Sequence, residues 1–209
     1  MQKHPVIGIV LATFLEAKPF LADMAFEKIE KHPFPVFRKE NEYLIVSGIG
    51  KANAAMATFH LCQGFTPDVI VNVGAAGASG DSAKLGEFLH LSLIIEYDRP
   101  HVSTGQPFSY KPLIIPGFRT VRAATQDKPV LDPGERKAIS LVADLVEMEA
   151  ASVIQAASKF NIPAAFFKYV TDTPDHTDEK DIVHYIREYR DPFHQYFMAT
   201  ILPRILERL

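Results

Sequence analysis

The sequence predicts an α/β protein built on an open, largely parallel sheet with helices packed against it. Three observations carry that expectation. Val6 to Ala12, Val69 to Val73 and Pro163 to Val170 are nearly unbroken apolar runs, the mark of central strands buried on both faces rather than of alternating edge strands. Helix-period segments stand between them, as parallel crossovers require. The runs also end in glycines or acids, and in open α/β sheets ligands bind outside the carboxyl ends of the strands.

Composition narrows the class. A chain of 209 residues, 47% apolar and 22% charged, has ordinary globular composition and is long enough for one well-buried domain, taken here as residues 1–209. Lys and Arg number 22 against 25 Asp and Glu, a net charge of −3, so no basic field recruits nucleic acid. The lone Cys62 excludes an intramolecular disulfide and a cysteine-rich metal site, and it fits a reducing compartment. Met1 to Pro5 runs straight into a strand pattern without the features of a signal peptide, and no apolar run reaches membrane-spanning length; a cytoplasmic protein with no membrane partner is expected.

In chain order, Glu16 follows the first strand and opens the helical pattern Phe20, Leu21, Met24, Ala25; it is either a helix-start acid or a group facing the crevice. His32-Pro33-Phe34-Pro35 breaks that helix, and Phe37 and Tyr43 to Val46 form a short strand pair. Ser47-Gly48-Ile49-Gly50-Lys51 joins a strand to the helix Ala52 to Cys62, leaving an open helix N-terminus for an anion or hydroxyl. It lacks the third glycine of a dinucleotide fingerprint and the Gly-Lys-Ser/Thr of a phosphate loop. The strand from Val69 ends in Gly74-Ala75-Ala76-Gly77, small residues that leave room for a ligand.

Gly86 to Ile95 reads as a strand, with His90 and Ser92 facing hydrogen-bond partners. Glu96 to Gly117 reads as a long loop, Arg119 to Thr125 as a strand and Pro133 to Ile139 as a helix start. Ile139 to Val146 is a buried-looking run that delivers Glu147-Met148-Glu149 to the start of the helix Ala150 to Phe160. These two acids are either first-turn helix acids or crevice groups. Thr171-Asp172 closes the last strand, where Asp172 is either a turn-capping residue or a third crevice carboxyl. Asp178 to Leu209 is amphipathic helix with a break expected at Asp191-Pro192.

The order Glu16, Ser47 to Lys51, Asn72 to Gly77, Val146 to Ala150 and Thr171-Asp172 resembles the nucleoside phosphorylase/nucleosidase superfamily, and most closely the 5'-methylthioadenosine/S-adenosylhomocysteine nucleosidases. The match runs from about Val6 to Asp175. The resemblance implies a three-layer α/β/α fold with a central twisted mixed sheet, phosphorylase/hydrolase-like, and a homodimer. It implies cleavage of a purine ribonucleoside at its N-glycosidic bond. Carried over by position, Glu16 activates water, and Asp172 meets the purine N7 and 6-amino edge. Met148 and Glu149 contact the ribose, Gly77 lines the site with Ala75 and Ile49 nearby, and Val130 touches the base through its backbone. No metal or other cofactor is implied.

The chemistry suits these residue types. Rupture of C1'–N9 builds positive charge on the sugar, which a carboxylate at the ribose hydroxyls stabilises most in the transition state. The purine leaves poorly as an anion, so Asp172, in what reads as an apolar strand tip that would raise its pKa, is expected to protonate it. Water must attack from the other ring face, the task assigned to Glu16. The sequence departs from the family in three places. Ala75 stands where the family usually has Ser or Thr, Phe14-Leu15 replaces an acidic cluster, and the segments Glu96 to Gly117 and Lys128 to Val130 differ. A phosphorolytic enzyme, an inactive nucleoside-binding relative and hydrolysis of a hypoxanthine nucleoside are the alternatives.

Overall fold

A computed structural model describes residues 4–23, 25–176 and 178–209. Met24, and Met1, Gln2 and Lys3 at the start, lie outside the described residues. The strands are β1 (Ile7–Leu11), β2 (Glu27–Glu30), β3 (Val36–Lys39), β4 (Glu42–Val46), β5 (Val69–Ala78), β6 (Phe88–Pro100), β7 (Pro107–Tyr110), β8 (Thr120–Thr125), β9 (Leu145–Glu147) and β10 (Ala164–Asp172). The helices are α1 (Phe14–Asp23), α2 (Lys51–Phe65), α3 (Pro133–Ser140), α4 (Ala150–Ser158), α5 (Glu179–Tyr196) and α6 (Leu202–Arg208), the last two joined by a π turn, Phe197–Ile201.

All ten strands join one mixed sheet, ordered β10-β6-β8-β9-β5-β1-β4-β3-β2, with β7 paired to β6. Because β10 also pairs with β5, the path β5-β10-β6-β8-β9 returns to β5 and rolls this half of the sheet into a closed ring. Rolling aims the tips of β5, β9 and β10 at one point: Gly77 stands opposite both Val146 and Asp172.

Helices cover both faces. α2 and α4 pack with Ala54, Ala57, Leu61, Val153 and Ala157 against Val10, Ile70 and Phe166. On the other face Phe20, Phe193, Phe197 and Ile201 pack against Ile9, Val71 and Phe167. This is the expected three-layer α/β/α arrangement. β1 is buried along its whole length, and β5 everywhere but at the half-buried Ala75, because each has strands on both sides and helices above and below.

Four local expectations are corrected. The first helix ends at Asp23, and Glu27–Glu30 is a charged edge strand; its Glu-Lys-Ile-Glu text has helical propensity, but it pairs with β3 and guards the sheet edge. Glu96 to Tyr110 is a hairpin rather than a loop, with its prolines at the strand ends, Pro100 opposite Pro107. Buried Glu96 anchors it, accepting from Tyr110 Oη (2.9 Å), Gln155 Nε2 (3.2 Å) and Lys51 Nζ (3.3 Å). The Ile139 to Val146 run is two elements, the end of α3 and β9, with Leu141 79% exposed at the turn between them. The last helix passes through Pro192 without a break, and the irregularity comes later, at the π turn.

Candidate active site

A cleft of about 740 Å³, counting its open mouth, lies over the converging strand tips, within the ~300–1,000 Å³ usual for small-molecule sites. Glu16, Ile49, Ala75, Gly77, Val130, Met148, Glu149 and Asp172 all line it, so residues 156 positions apart share one cavity, with Ile182 and Ile186 of α5 forming part of a wall.

Glu16 is held by backbone geometry. Thr13 and Glu16 form a reciprocal cap at the start of α1: the Glu16 amide donates to Thr13 Oγ1 (3.2 Å), and Glu16 Oε2 accepts from the Thr13 amide (3.0 Å) and hydroxyl (2.6 Å). Glu16 Oε1 accepts from the Ala75 amide at 2.9 Å. The helix-start and crevice readings of Glu16 are therefore both met by one side chain. A Cβ on Gly74 would lie 2.7 Å from Glu16 Oε1, so only glycine lets β5 pass this close.

The two acids of the Glu-Met-Glu turn do different things. Glu147 is buried structure: its Oε2 accepts from the amides of Glu149 (3.0 Å) and Ala150 (2.8 Å), its Oε1 from the Thr125 hydroxyl, and Lys168 Nζ stands 3.1 Å away. Lys168, on β10, is 1% exposed and is the charged residue in an otherwise apolar strand run. Glu149 faces the cavity. Its Oε1 accepts from the Gly50 amide at 2.9 Å, and its other oxygen makes no hydrogen bond within the described residues. Burial, with Glu147 and Glu16 nearby, pushes the Glu149 carboxyl up to about 7 against the opposing pull of Lys168 and the Gly50 amide.

The helix N-terminus expected to be open is filled by the chain itself. Gly50 donates to Glu149, and the Lys51 amide to Asp127 Oδ1 at 2.7 Å.

At the other end, Asp172 does not sit in the apolar tip that the sequence suggested. Arg136 on α3 is 1% exposed and donates through NH2 to Asp172 Oδ2, while the Thr171 hydroxyl donates to Oδ1 at 3.0 Å. A cation stands where an apolar wall was expected. The same guanidinium donates through Nε to the Val130 carbonyl (2.8 Å) and through NH1 to the Ala78 carbonyl (2.7 Å). Gly77 is glycine because a Cβ there would collide with the Asp172 carboxylate.

Among known proteins, a family model described as the phosphorylase superfamily matches residues 6–140 and 117–195. The chain belongs to the phosphorylase superfamily. It is 30% identical over 157 residues to the 5'-methylthioadenosine/S-adenosylhomocysteine nucleosidase of Anoxybacillus flavithermus, covering 63% of this chain and 68% of that one. It is 31% identical over 159 residues to the enzyme of the same name from Staphylococcus aureus, covering 64% and 70%. Arabidopsis thaliana 5'-methylthioadenosine nucleosidase in apo form superposes over the full length of both chains, with a TM-score of 0.85 at 20% identity, which is agreement of fold.

Against this superfamily background, the residues that sequence reasoning passed over are Arg136, Lys168 and Thr13. Each left a signal. Lys168 interrupts a buried strand and so needs a buried partner, while Arg136 shares a helix face with Ile139, three residues on. Thr13-Phe14-Leu15-Glu16 is the Ser/Thr-x-x-Glu pattern of a capping box.

Proposed function

We propose that the protein hydrolyses the N-glycosidic bond of a purine ribonucleoside of the methylthioadenosine/adenosylhomocysteine type and releases the free base. The observation that carries this reading is the opening of Glu16, Glu149 and Asp172 into one cavity. Glu149 presents its unpartnered oxygen to the ribose hydroxyls beside Met148, and Asp172 meets the purine edge, with the Val130 backbone and Gly77 against the base. Glu16 takes a proton from water as the water oxygen bonds C1', the C1'–N9 pair passes to the purine, and N7 is protonated. The missing hydroxyl at Ala75 does not disable Glu16, which is bonded through the Ala75 backbone amide; this favours an active enzyme over a binding-only relative. No cofactor enters the reaction.

Two further expectations belong to this proposal. An exposed apolar face, Met56 and Phe59 on α2 beside Phe34 and Ala156, supports a homodimer formed through this side. The cytoplasmic setting agrees with the free, buried Cys62, whose thiol burial pushes up to about 11.

The test is a panel of methylthioadenosine, adenosylhomocysteine, adenosine and inosine, with and without phosphate, with free base followed by chromatography. Base release independent of phosphate, lost in Glu16→Gln and Asp172→Asn with the fold retained, is the expected result. A strict phosphate requirement, or binding without release, overturns it.

A further inference from the structure

We propose that Arg136 is a positioning residue for the leaving-group step, setting the orientation of Asp172 and taking up the charge that Asp172 acquires when it gives its proton to the purine. The proposal rests on the reading of Asp172 as the acid.

Arg136 is among the largest fully buried side chains of the described residues, on a helix where Glu135 before it is half-buried and Lys137 after it is exposed. Its planar fork is spread over three elements: the Val130 carbonyl before α3, the Ala78 carbonyl at the tip of β5, and Asp172 at the tip of β10. Those are the segments that form the Asp172 end of the cavity, and Arg136 itself lines it. Burying a guanidinium is costly, and well-packed apolar residues often stabilise such positions as well or better. Packing alone therefore does not account for a charge here. Placement beside the proton donor does.

Water oxygen bonds C1' and loses a proton to Glu16. The C1'–N9 pair moves onto the purine, and the Asp172 proton passes to N7. The new carboxylate stays in a charge-assisted bond with the guanidinium, stabilising the transition state in proportion to the charge developed. Solvent then carries the proton from Glu16 back to Asp172, leaving base and sugar as products.

The experiment compares kcat and KM for methylthioadenosine at one fixed pH in wild type, Arg136→Met, Arg136→Lys, Asp172→Asn and the Arg136→Met/Asp172→Asn pair. Arg136→Met should lose about 100-fold in kcat and change KM less than about threefold. Arg136→Lys, which keeps a charged donor, should lose less than about tenfold in kcat. The double variant should be no worse than Asp172→Asn alone, since the two act as a unit. A loss in Arg136→Met that appears in KM and not in kcat, or equal losses in Met and Lys, assigns Arg136 to structure alone and overturns the proposal. Should Arg136→Met fail to fold, Arg136→Lys decides: a kcat loss as deep as that of Asp172→Asn refutes it. If Asp172→Asn itself stays active, the parent reading fails, an outcome distinct from the others.

Discussion

Substituting Glu149 by Gln tests the site and the stability of the fold together. Glu149 is buried, and its carboxyl is pushed up to about 7, chiefly by desolvation and then by Glu147, from the usual value of 4.5. The folded chain therefore holds this proton more tightly than the unfolded chain. The stability that the proton contributes is fully present below about pH 4.5 and is lost as pH rises through about 7. At ~1.4 kcal/mol per pH unit, the loss is on the order of 3 kcal/mol. With ~2–4 °C per kcal/mol for a chain of this size, Tm should fall by roughly 10 °C between pH 5 and 8 through this group alone. Glu149→Gln should flatten that part of the slope, and thermal unfolding of both proteins across this range isolates it from every other titration. Nucleoside affinity should run the other way, because ribose hydroxyls donate to the ionised carboxylate: binding tightens as pH rises through about 7, and in wild type only. Identical Tm–pH slopes in wild type and Glu149→Gln would refute the argument.

Lys168→Met leaves Glu147 buried without its cation and should cost about 3–5 kcal/mol, read by denaturant unfolding. Adding Glu147→Gln should recover part of the loss, and strict additivity would show that the two charges do not support each other. Gly77→Ala drives a methyl group into Asp172; it should cost about 1–3 kcal/mol of stability and about 100-fold in kcat through displacement of the carboxyl, with kcat near wild type as the contrary result.

Strands β1, β5 and β10 were legible because strands buried on both faces leave unbroken apolar text, and the glycine and acid tips of β5 and β10 were legible because those residues interrupt it. Closure of the sheet was not legible. It depends on β10 pairing with both β5 and β6, a long-range choice that leaves no local pattern. The same reason hides the division of labour between Glu147 and Glu149. Both read as acids at a helix start, and only Lys168, 21 residues on, and Gly50, 99 residues back, decide that one is structural and the other faces the cavity. Asp172 was placed but its surroundings were misjudged, because the guanidinium that meets it comes from a helix 36 residues earlier.

That arrangement of charges also bears on the nucleophile. The cations among the lining residues are Lys128 and Arg136, and both are engaged, Lys128 with Glu135 at 3.0 Å and Arg136 with Asp172. The other side of the cavity presents Glu16 and Glu149, and the α2 N-terminus that would have welcomed an anion already holds Glu149 and Asp127. A phosphate seated there would meet the Glu16 side of the cavity and, as pH rises through about 7, an ionised Glu149; a like charge at 4 Å costs ~4 kcal/mol in a medium of effective dielectric 20. Water meets no such opposition: it can donate to a carboxylate and carries no charge of its own. The wall that discourages phosphate thus suits a proton acceptor for water, and the preference for hydrolysis follows from where the cations are spent.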